Sequence, residues 1–389
     1  MRVAFLVSRW PVDGGIETVT RTLANEMVRR GNQVYVLYTE YFSPSSSGVF
    51  VDNRIIGKLI PDVSCCSKEK MFRQGSAFIK ALNEEEHFDV IINQCYPTWT
   101  SEVLKDLYGH VKVIECLHML LYGPSRYKRL KWKGWDLKMR LCGPWIFHRV
   151  EKKHKSEVIE REFQYVDKFV LLAESYVKEY EKIRGTKYTQ GKLTYMHNPL
   201  AQSVTMSDKD FTNKEDVVLC VSRMQEDMKR ISYMIEFWKM IEKDSSFDNW
   251  RFDILGDGPS LGGYIEMVRN MGLKRVSFWG WQNPDIYYKR SKILLMTSAF
   301  EGLPMTIPEA QQYGVVPIVL NTFSSVHELI VDGYNGRIAS NKRKFLHCLR
   351  KTMRHHDKWE TMAQMGMTTC KRFAVSHIVD EWEKLIDSI

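Results

Sequence analysis

Short apolar runs alternate with amphipathic helical stretches along almost all of this 389-residue sequence, and the alternation breaks once and restarts. Residues 3–8 (VAFLVS) read as a buried strand. Val19, Leu23, Met27 and Val28 keep helical spacing within residues 17–30, Gly31 closes that helix, and residues 33–39 are the next apolar run. A strand, a helix and a strand in that order open a doubly wound α/β sheet, because parallel strands need a crossover long enough to hold a helix. Further strands are expected at residues 88–93, 112–116, 168–173 and 192–197. Asn198-Pro199 breaks the rhythm, and residues 201–216 are polar. The pattern resumes at residues 217–221 and runs through 252–255, 276–279, 293–296 and 315–320, then turns helical past residue 341. We therefore expect two domains, residues 1–200 and 201–370, followed by an amphipathic helix within 371–389.

Composition narrows the function classes. A hydrophobic content of 44% and an aromatic content of 12% exclude a disordered chain. No apolar run approaches the roughly 18 residues that span a bilayer, and residues 1–7 lead into Ser8-Arg9-Trp10-Pro11 rather than an export signal. The eight cysteines include no CxxC pair, which argues against zinc and for reduced thiols in a cytosol. The formal charge of +9 calls for an anionic partner. All of it is concentrated between residues 126 and 155, where eleven Lys/Arg face two acids. That stretch interleaves Arg126, Lys128, Arg129, Lys131 and Lys133 with Trp132 and Trp135. The pattern suits the headgroup layer of an anionic membrane, and equally a solvated helical face. Nucleic acid is not the expected partner, because no recognition motif accompanies the patch.

The most distinctive stretch is SAFEGLPMTIPE, residues 298–309. An apolar strand precedes it, and Pro304 is expected to open a helix, where its missing amide would be unpaired anyway. Pro308, inside that helix, is expected to remove an interior donor and distort it. Glu301 and Glu309 flank the helix start, placed either to accept hydrogen bonds from sugar hydroxyls or as two solvated acids. Arg223 and Lys229 lie on the loop after residues 217–221, where two cations can clamp a diphosphate or merely decorate a surface. Gly14-Gly15 opens the first helix without a GxGxxG fingerprint, and reads as a permissive turn or as a close approach to a ligand. His118 falls at the carboxyl end of a parallel strand, where open α/β sheets hold ligands, although lone histidines are often packing residues.

EGLPMTIPEAQQYGVVPIV followed by HELIVDGYNG resembles the donor-site signature of the family-4 retaining glycosyltransferases. The resemblance covers nearly the whole chain and is strongest over residues 217–340. It implies the GT-B fold, two Rossmann-like domains facing a central cleft, with the acceptor on the first, the donor on the second, and the last helix crossing back. It also implies a retaining, metal-independent transfer from a nucleotide sugar, expected to be UDP-linked, to a glycan or polyprenyl-diphosphate-linked acceptor, with no cofactor. By resemblance, Arg223 and Lys229 hold the leaving diphosphate, Glu309 the ribose, and Glu301 and His118 the transferred sugar. Gly14, Gly15, Gly256, Trp281, Gly302, Leu303, Pro304, Met305 and Thr306 would complete the donor site. Arg230 departs from the pattern, which carries a small or neutral residue after the lysine. A peripheral location at the inner membrane face follows if the basic stretch meets a lipid-linked acceptor. The alternatives are an epimerase-like GT-B activity and a non-catalytic membrane-surface binder, the latter disfavoured by intact Arg223, Lys229, Glu301 and Glu309.

Overall fold

The computed structural model describes residues 1–12, 14–42, 50–61, 68–94, 100–120, 122 and 143–389, of which 68–72, 100–101, 143–150 and 208 by backbone alone. Arg126, Lys128, Arg129, Lys131, Trp132, Lys133 and Trp135 lie outside the described residues. The chain divides into two compact units, Met1–Ala201 with Val375–Ile389, and Gln202–Ala374.

The first unit holds seven strands: β1 (Arg2–Trp10), β2 (Gln33–Tyr41), β3 (Ile56–Leu59), β4 (Val90–Asn93), β5 (Lys112–Leu117), β6 (Lys168–Leu171) and β7 (Leu193–Tyr195). They are parallel and lie in the order β3-β2-β1-β4-β5-β6-β7. Alternate residues of β1 feed two separate cores. Ala4 and Leu6 join Ile79, Phe163 and Tyr180 on one face, while Val3, Phe5 and Val7 join Leu23 and Met27 of the helix Gly15–Arg29 on the other. That two-sided burial explains why β1 reads as a continuous apolar run. The helix Val375–Asp387 belongs to the second of these cores through Ile378, Val379, Trp382 and Ile386. Arg30 fastens it at three points: Asp380 at 2.6 Å, Glu383 at 2.8 Å and the Ser376 carbonyl at 2.6 Å. Lys112 adds a bond from Nζ to the Ile386 carbonyl at 2.7 Å.

The second unit holds six parallel strands: β8 (Val217–Val221), β9 (Arg251–Leu255), β10 (Val276–Gly280), β11 (Ile293–Met296), β12 (Val316–Leu320) and β13 (Arg337–Ala339). Their order is β10-β9-β8-β11-β12-β13, so the direction of winding reverses between β8 and β11. At such a switch the loops after two neighbouring strands diverge and leave a crevice at the carboxyl edge. The polar stretch after residue 200 contains a short helix, Asp208–Thr212, held by a capping box between Ser207 and Asp210.

Two strands were not expected from the sequence. β3 has only Ile56 and Leu59 as large apolar residues, and β13 is three residues long; both are edge strands. The helix after β11 also differs from expectation. It runs from Thr306 to Gln312, with Met305 at its cap, so Pro304 lies ahead of it. Pro308 is therefore the third helical residue, in the first turn, where an amide has no intrahelical acceptor and proline is tolerated. The distortion expected from an interior proline does not arise.

Candidate active site

The site is built first from backbone. Ser222 N donates to Leu255 O at 3.0 Å, Met224 N to Asp257 O at 2.8 Å, Ser260 N to Met224 O at 3.0 Å, and Gly256 N to Gly280 O at 2.7 Å. These bonds tie the loops after β8, β9 and β10 together at the carboxyl edge of the sheet. The approach is so close that only glycine fits. A Cβ on Gly256 would stand 1.9 Å from Ser222 O, and one on Gly258 would stand 2.6 Å from Met224 O. Both also have positive φ, +129° and +151°.

On that frame the loop after β8 ends in a helical turn, Glu226–Lys229, and the loop after β11 carries Glu301. Lys229 Nζ meets Glu301 Oε1 at 2.6 Å, a pairing between residues 72 positions apart. Both side chains are largely buried, Lys229 at 18% and Glu301 at 7% exposure. The pairing follows from strand order: β8 and β11 are neighbours, so the loops leaving them start side by side. Arg230 sits in the left-handed region at φ 50°, ψ 45°, which turns the chain from the Lys229 turn into the helix Ile231–Glu242. Buried Thr297 holds that turn by donating from Oγ1 to the Arg230 carbonyl at 2.9 Å, and Ala299 N reaches Met228 O at 2.6 Å. Downstream, Thr322 donates to Ser298 O, and fully buried Ser325 donates to Gly302 O at 2.6 Å. Thr322 and Ser325 thus fix the backbone on the two sides of Glu301, and Thr297 fixes the turn that carries Lys229. Nothing in the sequence marks these three residues, since hydroxyl residues near turns are common.

Glu309 faces a different environment. The Tyr288 hydroxyl donates to its Oε2 at 3.3 Å, and the fully buried Tyr288 ring stacks on Tyr313 at 5.7 Å. Burial pushes the Glu309 carboxyl up to about 7, with the Tyr288 bond opposing and nearby Asp285 adding to the rise. Asp285 itself accepts from Gln202 Nε2 at 2.7 Å. Buried Lys214 fixes the carbonyl end of the helix Asp285–Arg290 by donating to Tyr288 O at 2.8 Å and Ser291 O at 2.7 Å. The sequence does not mark this tyrosine and lysine support for Glu309: Lys214 falls in the stretch 201–216, which reads only as polar.

Arg223 is exposed on the loop after β8. Trp281 follows β10 and is 73% exposed, next to Trp279 at 42%. Leu303 and Pro304 are buried, while Gly302, Met305 and Thr306 keep part of their surface.

The first unit presents neutral groups. His118 follows β5, and its Nε2 lies against Gln94 Oε1 after β4. Burial holds the imidazole down at about 4, so it is neutral at physiological pH. Gln94 Nε2 is buried and makes no hydrogen bond among the described residues. Gln94, His118, Cys116, His197 and Asn198 line a small cavity with apolar neighbours such as Trp382. Gly14 has φ −166°, extended backbone open to any residue, so the double glycine is not explained by a permissive turn. Space explains it better at Gly14. A Cβ there would stand 2.2 Å from Glu17 Oε2, and Glu17 is engaged by Arg9 Nη2 at 2.8 Å. At Gly15 a Cβ would meet nothing within 4 Å.

Residues 203–366 match the family model described as Glycosyl transferases group 1, and residues 13–152 match Glycosyltransferase Family 4. Taken together, the two matches support a family-4-like glycosyltransferase. The chain is similar to the lipopolysaccharide 1,6-galactosyltransferase of Salmonella typhimurium, at 26% identity over 62% of this chain and 64% of that one. It is also similar to the Campylobacter jejuni α-1,4-N-acetyl-D-galactosaminyltransferase acting on GalNAc-α-(1→4)-GalNAc-α-(1→3)-diNAcBac-PP-undecaprenol, at 26% identity over 49% of this chain and 54% of that one. The matched region spans less than two thirds of the length of these relatives. Among solved structures, the apo lipopolysaccharide outer core galactosyltransferase WaaB aligns with a TM-score of 0.69 at 19% identity, covering 100% of this chain and 99% of that one. Anabaena HepE in complex with UDP-glucose aligns with a TM-score of 0.73 at 14% identity, covering 100% of both. The shared fold is GT-B.

Proposed function

We propose that this glycosyltransferase moves a hexosyl group, with retention, from a UDP-sugar to a hydroxyl of a lipid-linked or surface-polysaccharide glycan at the inner membrane face. The observation that carries the reading is the Lys229–Glu301 pair at the switch point. A largely buried cation balanced, among the described residues, by one carboxylate suits a site that receives an anion: when a diphosphate binds Lys229, Glu301 is released to accept sugar hydroxyls. Arg223, exposed on the same loop, supplies a second cation to the diphosphate. As the bond from the anomeric carbon to the diphosphate oxygen breaks, negative charge grows on that oxygen, and fixed cations there stabilise the transition state more than the ground state. In the proposed reading Arg223 and Lys229 meet that charge without a metal. Glu309 holds the ribose hydroxyls, exposed Trp281 offers a ring to the nucleobase, and neutral His118 bonds a substrate hydroxyl without donating charge. The printed names of the relatives and of the UDP-glucose complex support the donor and acceptor classes. The peripheral location is supported by charge alone, the +9 element of residues 126–155.

The test is a donor panel. UDP-, GDP- and ADP-sugars are titrated against thermal stability, and turnover is then measured with the stabilising donor in the presence and absence of EDTA. UDP-sugars alone should raise the melting temperature, and EDTA should leave turnover unchanged. Stabilisation by GDP- or ADP-sugars instead, or a collapse of turnover in EDTA, would sink the corresponding part of the assignment. Release of free sugar or of an epimer without acceptor would favour the epimerase-like alternative.

A further inference from the structure

A second group of cations lies at the amino edge of the second sheet, the edge opposite Lys229 and Glu301. A concavity of about 290 Å³ opens there, lined by Gly333, Arg337, Lys351, Thr352, Lys358 and Thr361. Arg337 is the first residue of β13, and Gly333 lies in the turn before it. Because β13 runs parallel to β12, its first residue marks the amino edge, whereas Glu301 follows the last residue of β11. Lys351 and Thr352 belong to the last turn of the helix Lys342–Arg354, and Lys358 to the first turn of the helix His356–Thr369. Folding therefore gathers three cations and two hydroxyls from three separate elements onto one hollow, and among the described residues no carboxylate lines it.

The partners already present do not saturate these groups. Arg337 Nε lies 3.2 Å from Asp332 Oδ1, an acid that is itself half exposed, and its Nη2 reaches Cys348 Sγ at 3.8 Å. Its Nη1 is turned toward Gly333, where a Cβ would stand 3.5 Å away. Lys351 and Lys358 are exposed, and among the described residues neither ammonium has an ion-pair partner. The volume is at the lower end for a small-ligand pocket and exceeds what one water or a monovalent ion would fill. A planar guanidinium sharing a hollow with two exposed ammonium groups suits tetrahedral oxyanions, which take a fork from arginine and point charge from lysine.

We propose that this hollow binds a phosphate-bearing anion of diphosphate or sugar-phosphate size, at a site separate from the donor site. The same chemistry is presented by a soluble phosphate ester and by a lipid phosphomonoester headgroup. The experiment is hydrogen exchange on the full chain at constant ionic strength, with inorganic pyrophosphate as one probe and phosphatidic acid vesicles as the other. Three proteins are compared: wild type, Lys351→Gln/Lys358→Gln, and Lys229→Gln. Pyrophosphate should protect residues 332–337 and 351–361 in the wild type and equally in Lys229→Gln. In the double variant the concentration giving half protection should rise at least tenfold. Protection by vesicles in place of pyrophosphate assigns the lipid source and supports the site. Absence of protection with both probes overturns the proposal, as does unchanged protection in the double variant or its loss in Lys229→Gln. The donor assignment is read separately, from protection of the loops around residues 223–229 and 297–302, so either reading can fail alone. The two lysines are exposed, so the double variant is expected to fold.

Discussion

The two units present different chemistry at the carboxyl edges of similar sheets. In the second, a largely buried ion pair rests on loops knitted by backbone hydrogen bonds and by three hydroxyls. In the first, the cavity after β4 and β5 is lined by neutral groups: a histidine held uncharged by burial, a glutamine whose amide finds no partner among the described residues, and apolar walls. The contrast is what a transfer between an anionic donor and a hydroxyl acceptor asks for. Stabilising charge that appears only in the transition state needs cations fixed beforehand, and fixing them requires a rigid frame. Orienting a hydroxyl needs only a hydrogen bond, worth about 1 kcal/mol net.

The sharpest way to break that comparison is Lys229→Ala. Removing one preorganised charge contact costs about 3–4 kcal/mol in the transition state, so kcat should fall by roughly two to three decades. Glu309→Ala should act mostly on donor KM, by about 1.5–3 kcal/mol. A Lys229→Ala enzyme with near-normal kcat would show that the charged half is not the catalytic half.

The frame itself is tested by Gly256→Ala. A methyl 1.9 Å from a backbone carbonyl, at φ +129°, forces the loops after β8 and β9 apart. We expect a loss of about 2–4 kcal/mol in unfolding free energy, measured by denaturant titration. Gly15→Ala meets nothing within 4 Å and should change stability by less than about 1 kcal/mol. Equal losses at both glycines would erase the distinction between a knitted edge and an open one.

A smaller effect is expected at Glu309, and it depends on pH. Its folded carboxyl titrates at about 7, above the ordinary 4.5, so the folded state binds the extra proton between those values. Ionising it in place therefore opposes folding, fully above about pH 7, and the penalty is relieved as pH falls toward 4.5. Glu309→Gln should thus stabilise the ligand-free protein at pH 8, by about 1–3 kcal/mol for this partly buried group, and by little at pH 5. Donor affinity should run the other way, weakening below pH 7 as the carboxylate proposed to accept ribose hydroxyls is lost. Melting temperatures at the two pH values decide the first point, and donor titrations the second.

The smallest effect belongs to His118. Since burial keeps it neutral down to about pH 4, the pH profile of kcat/KM should show no step near 6.5 that disappears in His118→Asn. Such a step would put a charged group in the half described as neutral.

How far the sequence revealed this arrangement depended on the span of the pattern involved. The strands β1, β8 and β11 are legible because both faces are buried and the run is uninterrupted. β3, with Gly57 and Lys58 in its middle, lacks that signature, since an edge strand pairs on one side only. Glu301 and Lys229 stand out within a distinctive motif, but their direct contact depends on β8 lying beside β11, which local pattern does not encode. The helix start was misplaced by two residues because proline is accepted both ahead of a helix and within its first turn. The tyrosine pair beneath Glu309 was invisible for a related reason: Tyr288 and Tyr313 serve core packing and carboxyl support at once.

The helix Val375–Asp387 carries a consequence for the order in which the protein is made. Ribosomes deliver residues from the amino end, so Gln202–Ala374 is complete before this helix emerges. Until then one face of the first sheet lacks Ile378, Val379, Trp382 and Ile386, and Arg30 lacks Asp380 and Glu383. The unit encoded first is thereby the last to close. During synthesis its uncovered apolar face is the natural place for a chaperone to bind, and maturation of the first unit waits on complete translation of the second.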